Sequence, residues 1–119
     1  FWNNTIFVMA SDNGGCHQQG GSNHPLRGGT HFLFEGGLRV PGVIEWPRGI
    51  TKPRVTSFPA ATMDIFPTLA EVAGLPADSM LQPQDGQSLR LLFEKEPGPR
   101  RKPIGFRSGT GGALVDKEV

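Results

Sequence analysis

Between positions 14 and 37 the chain carries four glycine pairs, Gly14-Gly15, Gly20-Gly21, Gly28-Gly29 and Gly36-Gly37. Paired glycines let one stretch of backbone run against another where side chains would collide. A flexible linker is the plain alternative. Linkers are polar, however, and this segment contains Phe32, Leu33 and Phe34. It therefore reads as a functional loop, with apolar anchors and tight backbone paths. The rest of the chain agrees. Glycine (17) and proline (11) fill nearly a quarter of the 119 residues, and the apolar share is 36%. That excludes a helical bundle or a coiled coil and points to short elements between many turns.

The length suits one modest domain or part of a larger one. Net charge is +1, which gives no electrostatic case for nucleic acid or for an anionic membrane surface. The longest apolar runs reach about half a bilayer span. Cys16 is the single cysteine, so there is no internal disulfide framework and no CxxC pair. Cys16 reads as a plain loop or buried thiol. The chain opens without methionine and enters an apolar run almost at once, and it ends equally abruptly. It is expected to be a fragment: one partial domain over residues 1–119.

Residues 4–10 form a continuous apolar run with β-branched and aromatic members, the composition of a strand buried on both faces. Ser11-Asp12-Asn13-Gly14 ends it in a turn. Residues 38–46 read as a second strand, interrupted by Pro41 and Gly42. The clearest helix has Thr62 or Asp64 as N-cap and residues 65–73 as its body. Ile65, Leu69 and Val72 share one face, Pro67 is tolerated in the first turn, and Gly74 sits at C′. Ser88 is positioned to cap a short helix through Phe93. Strands are expected at 104–107 and 113–119, around a glycine-rich turn. Phe58, Phe66 and Phe93 are core candidates, and Arg100-Arg101-Lys102 reads as a solvated basic surface. The order is α/β in character but holds too few parallel strands for a complete doubly wound sheet.

Asp12 and Asn13 carry the first chemical signal. A carboxylate beside a carboxamide offers hard oxygen donors, which suit calcium or magnesium. They stand just past the carboxyl end of a strand, where open α/β sheets keep their ligands. An Asx-turn explains the same two residues with no ligand at all. Two donors also fall short of a calcium shell of about six oxygens.

The wider pattern removes the isolation of this pair. The stretch from Thr5 to Gly15, Thr-Ile-Phe-Val-Met-Ala-Ser-Asp-Asn-Gly-Gly, resembles the apolar strand and S-D-N-G signature of the sulfatase family. Gly20-Gly21-Ser22-Asn23-His24-Pro25-Leu26-Arg27-Gly28-Gly29 follows. Glu35-Gly36-Gly37-Leu38-Arg39-Val40-Pro41 is similar to the family's E-G-G-x-R-x-P signature. The segment from Met63 to Leu75 is similar to its D-x-x-P-T-L-x-x-x-A-G helix, and Asp85-Gly86-Gln87-Ser88-Leu89 resembles its D-G-x-S-L turn. Five landmarks fall in the family's order between residue 5 and about residue 89.

The resemblance implies a fold like alkaline phosphatase: a mixed sheet between helices, of which this chain is a C-terminal portion, with residues 103–119 starting a smaller sheet. It implies sulfate-ester hydrolysis by a formylglycine made from a C/S-x-P-x-R motif in the N-terminal half, beside a divalent cation, usually calcium. Carried over, Asp12 and Asn13 are two of the cation's ligands, the remaining two being N-terminal aspartates. An exported, periplasmic or lysosomal parent fits the resemblance, as do sulfated sugars, aryl sulfates and steroid sulfates as substrates.

This sequence departs from that pattern in three ways. It has no C/S-x-P-x-R motif, and Cys16 lacks the proline and arginine that would follow. It lacks the two N-terminal aspartates, so the chain alone is expected to be inactive. The family's lysine, five residues before the glutamate of E-G-G, contacts sulfate. Here that position is Thr30, and losing such a charged donor costs a few kcal/mol of barrier by analogy with oxyanion donors. His31 alongside either replaces part of the charge when protonated or only packs and faces water. His17 and His24 lie in the loop that borders the pocket in this family, as substrate contacts or as solvated residues. Arg39 is a substrate contact or an ion-pair partner of Glu35. Two other function classes stay open: a related phosphodiesterase or phosphonate hydrolase, and a non-catalytic binding module in which Asp12 and Asn13 are turn residues. Exposed strand edges predict self-association of the chain, by strand exchange.

Overall fold

The computed structural model describes residues 1–116 and divides the chain into two compact units. The first comprises Phe1–Arg48 and Gly105–Leu114; the second comprises Gly49–Ile104 and resumes at Val115.

In the first unit, strand β1 (Phe7–Ala10) pairs antiparallel with β2 (Gly42–Glu45), in the register Phe7 to Glu45 and Ala10 to Gly42. Both strands are shorter than the sequence suggests. Residues 2–4 form a 3₁₀ turn instead of strand, and β2 begins only at Gly42, just after Pro41, whose ring nitrogen cannot donate to a ladder. The expected burial of residues 4–10 is not met: Phe7 and Met9 are half exposed. The composition makes a strand, but this ribbon has two strands and neither inserts Phe7 or Met9 into a core. Between β1 and β2 lies the glycine-rich loop, with a 3₁₀ turn at His17–Gln19 and one helical turn, α1 (Glu35–Leu38).

The second unit is organised by helix α2 (Ile65–Val72), which follows a 3₁₀ turn at Thr62–Asp64. Its end is a Schellman cap. Gly74 adopts φ 73°, its N–H donates to the Glu71 carbonyl at 3.0 Å, and the Leu75 N–H donates to the Ala70 carbonyl at 3.0 Å. A 3₁₀ turn at Arg90–Phe93 packs against α2, and Ser88 Oγ accepts from the Arg90 N–H at 3.1 Å. The buried apolar side chains among the described residues are Ala70, Leu89, Phe93 and Ile104, all in this unit. Phe93 is therefore core as expected, whereas Phe66 is 59% exposed and Phe58 half-buried.

The face α2 turns inward is not its apolar stripe. Asp64, Pro67, Thr68 and Ala70 are buried, while Leu69 is exposed. Hydrogen bonds explain this. Thr68 Oγ1 donates to the Asp64 carbonyl at 2.6 Å and accepts from the Leu89 N–H at 2.8 Å. The expected solvated run 100–102 is also corrected at its first member. Arg100 is buried and forms a two-pronged pair with Asp64, Nη1 to Oδ2 at 2.7 Å and Nη2 to Oδ1 at 2.9 Å. Arg101 and Lys102 are exposed as expected. Strands β3 (Ile104–Ser108) and β4 (Gly111–Val115) form a second two-stranded sheet across a two-residue turn. The strand expected to reach residue 119 runs into 117–119, which lie outside the described residues. No helix among the described residues is long and apolar enough to cross a membrane.

Candidate functional site

The chain leaves β1 at Ala10 and turns at once through Ser11, Asp12 and Asn13. The turn is held locally: the Asn13 N–H donates to Asp12 Oδ1 at 3.0 Å, and Ser11 Oγ donates to the Asn13 carbonyl at 2.8 Å. Asp12 is exposed and Asn13 half-buried. The Asn13 N–H contact occupies one carboxylate oxygen of Asp12 and leaves the other without a hydrogen-bond partner in the turn. Both side chains present hard oxygens suited to an oxygen-seeking divalent cation. No group of three or more His, Cys, Asp or Glu that could hold a metal occurs among the described residues.

Immediately after the pair, the backbone is packed against the glycine-rich loop. The Gly14 N–H donates to the Gly37 carbonyl at 3.0 Å. A Cβ on Gly14 would lie 1.7 Å from the Gly36 carbonyl oxygen, and one on Gly37 would lie 2.0 Å from that of Phe32. No side chain fits either place. The S-D-N-G and E-G-G segments, 22 residues apart, thus meet backbone to backbone; the contact itself requires glycine at 14, and glycine at 37 is required by the carbonyls of Phe32 and Gly29.

Asn23 ties the loop's two arms together. Its Oδ1 accepts from the Gly15 N–H at 2.7 Å, and its Nδ2 donates to the carbonyls of Gly15 at 2.9 Å and Gly28 at 3.2 Å. His17 Nε2 also donates to the Gly28 carbonyl, at 3.2 Å. A carbonyl only accepts, so Nε2 carries hydrogen there. Asn23 had no assigned role in the sequence. A carboxamide lying between glycine pairs was the available signal, since Asn alone offers both donor and acceptor at one backbone residue.

The remaining expected residues divide by where their polar atoms go. Thr30 Oγ1 donates to the Gly14 carbonyl, and the Thr30 N–H to the Gly15 carbonyl at 3.4 Å. Thr30 is thereby joined to the backbone that follows Asp12-Asn13. His31 is exposed and adopts φ 74°, the left-handed region. His24 is exposed, its N–H donating to Ser22 Oγ at 3.4 Å. Arg39 approaches Glu35 at 3.9 Å with both side chains more than half exposed, a weak surface pair. Arg27 stacks its guanidinium over Phe34 at 4.0 Å, and Phe34 stacks in turn on Phe32. Cys16 is a half-buried free thiol.

The family model described as "Sulfatase" matches residues 2–75, which include all of this loop and the whole of helix α2. The chain belongs to the sulfatase family. Sulfatase relatives include rat steryl-sulfatase, 39% identical over 101 residues that cover 76% of this chain and 17% of the relative. A "Sulfatase" of the bacterium Formosa agariphila is 39% identical over 95 residues, covering 78% of this chain and 17% of that protein. Canine N-acetylgalactosamine-6-sulfatase is 39% identical over 88 residues, covering 69% and 17%. The chain thus spans about a sixth of the length of these curated relatives. Membership in the sulfatase family implies an alkaline-phosphatase-like α/β fold, of which the structure presents a small α/β part with two two-stranded sheets.

Proposed function

We propose that this chain is part of a sulfuric ester hydrolase, in which it supplies two oxygen ligands, Asp12 and Asn13, to a divalent cation of the calcium type. The observation that carries the reading is the Asp12-Asn13 turn at the end of β1, held by Gly14 against the E-G-G turn. A fixed carboxylate and carboxamide can hold a hard cation without reorganising. When bound, such a cation stabilises the negative charge that gathers on a sulfate ester's oxygens as the ester breaks. The chain's own residues orient it: Asp12 and Asn13 by ligation, the glycine loop by fixing their backbone.

The C/S-x-P-x-R motif is absent from this sequence, so no residue here becomes the formylglycine nucleophile, and hydrolysis is assigned to a complete family domain. The substrate is a sulfate ester, and Thr30, His31 and His24 are the candidates to border it. Thr30 brings no positive charge to the sulfate. The Asp12–Asn13 ligand role predicts no turnover by the 119-residue chain alone.

A chimera tests this. Rat steryl-sulfatase is rebuilt with residues 2–75 in place of its matching segment, and aryl sulfate hydrolysis is measured. The chimera is expected to turn over. Asp12→Ala is expected to lower kcat at least about a hundredfold, the scale of losing one fixed stabiliser of transition-state charge. An Asp12→Ala chimera as active as its parent would remove the metal-ligand assignment.

A further inference from the structure

We propose that Asn23 and Thr30 are positioning residues for the Asp12–Asn13 pair. The inference rests on the reading of that pair as metal ligands and goes beyond it, because neither residue is assigned a part in holding the cation.

Every backbone polar group of Gly14 and Gly15, the two residues following the pair, has a partner. The Gly14 N–H is taken by the Gly37 carbonyl and the Gly14 carbonyl by Thr30 Oγ1. The Gly15 N–H is taken by Asn23 Oδ1; the Gly15 carbonyl accepts from Asn23 Nδ2 and from the Thr30 N–H. All four groups are satisfied, and two side chains supply three of the bonds. Glycine has no side chain of its own to limit φ and ψ, so the path of Gly14-Gly15 is set by these partners. That path fixes where Asn13, one residue earlier, aims its carboxamide.

Thr30 therefore does something other than stand in weakly for a cation. Its hydroxyl is spent on Gly14. A methyl in its place leaves the carbonyl of buried Gly14 unbonded and lets the loop shift. Asn23 is more demanding still. It bridges both polar groups of Gly15 and reaches the Gly28 carbonyl, and only a carboxamide offers an acceptor and two donors in that geometry.

The test is calcium titration of the 119-residue chain by NMR, read at the Asp12 side-chain carbon and the Asn13 carboxamide. The wild type is expected to bind in the millimolar range or weaker, as a partial oxygen shell should. Thr30→Val is expected to weaken binding about threefold to tenfold, the scale of one net hydrogen bond. Thr30→Ser, which keeps the hydroxyl, is expected to stay within about twofold, and Asn23→Ala to lose at least about tenfold, since it removes three bonds. In Thr30→Val the β1–β2 amides and the Trp46 indole are expected to keep their wild-type shifts. Equal affinity in Thr30→Val and wild type overturns the proposal. So does loss of β1–β2 dispersion in Thr30→Val, which makes Thr30 a folding residue. A wild-type chain with no calcium-dependent shift at Asp12 or Asn13 up to about 50 mM, far above the affinities of oxygen-ligand sites, instead refutes the metal-ligand reading on which the proposal stands.

Discussion

Arg100→Met is expected to unfold the second unit. The Arg100 and Asp64 side chains are both fully buried. Arg100 uses four of its five N–H donors: two on Asp64 at 2.7 and 2.9 Å, one on the Lys102 carbonyl at 2.6 Å and one on the Pro59 carbonyl at 3.1 Å. Asp64 accepts two further bonds, from the Ala61 and Gln87 N–H groups, each at 2.8 Å. Methionine fills much of the volume but leaves a buried carboxylate with two neutral donors and no counter-charge. Breaking such a pair from one side costs about 3–5 kcal/mol. A unit of this size has roughly 3–8 kcal/mol in total, at typical stability per residue. Arg100→Lys keeps the charge but cannot form the fork, so an intermediate loss of about 1–3 kcal/mol is expected. Both tryptophans, Trp2 and Trp46, lie in the first unit, so fluorescence does not report on this one. Urea titration followed at the Ala61, Gln87 and Leu89 amides by NMR does. An Arg100→Met chain that keeps those amides dispersed and loses less than about 1 kcal/mol would refute the argument, since a deep pair cannot be that cheap to break.

Gly14→Ala is expected to disorganise the loop from 14 to 37, because its Cβ would sit 1.7 Å from the Gly36 carbonyl oxygen; the check is loss of amide protection at Gly14, Gly15 and Gly37. His31→Gly is expected to stabilise the first unit by about 1 kcal/mol in a Trp46-detected urea titration, because φ 74° strains a residue with a Cβ, whereas His31→Val is expected to destabilise it. The chain is expected to self-associate through the edges of the β1–β2 ribbon, which carries exposed Phe7, Met9 and Val43. A single monomeric mass by light scattering at micromolar concentration counts against that.

The local grammar of the sequence was readable where one residue decides the geometry. Gly74 ends α2 at positive φ and Asp12-Asn13 closes β1 in a turn, as their side chains and missing side chains require, whereas Leu89 takes the N-cap of the Arg90–Phe93 turn expected of Ser88, whose hydroxyl instead accepts from the Arg90 N–H. Reading failed where a polar atom's partner is far along the chain. Asp64 looked like a helix cap, and it does accept the Ala61 N–H, so nothing local called for more. Its second employment, by an arginine 36 residues away, is invisible to local pattern. Arg100 stood in a charged run beside prolines, and composition assigns such runs to water. The inward face of α2 was misjudged for the same reason. Hydrophobic periodicity weighs Ile65, Phe66 and Leu69, but Thr68 and Asp64 are bonded across to other segments and carry the helix face with them. At the site, the glycine pairs announced close backbone approach. They did not say that Thr30 and Asn23 complete it, because the acceptor and donor they meet belong to main chain, which has no signature.

The first unit specifies its site in an unusual currency. Its buried residues among those described are Gly14, Gly29, Gly36 and Gly37, with no large apolar side chain among them. Apolar packing is non-directional and tolerates repacking. Backbone hydrogen bonds are directional, and contact between glycine backbones admits no added atom. A loop built this way can hold the Asp12-Asn13 turn to tight tolerance without a hydrophobic core beneath it, but it surrenders the freedom to vary that loops usually have. Variation in what such a site accepts must then enter at positions whose side chains leave the scaffold untouched. The exposed residues of this loop include His24, His31, Phe32 and Phe34. On the proposed role in a sulfuric ester hydrolase, leaving-group preference is expected to follow these four side chains, while substitution at the glycines, Asn23 or Thr30 is expected to change the placement of Asp12 and Asn13 whatever the ester.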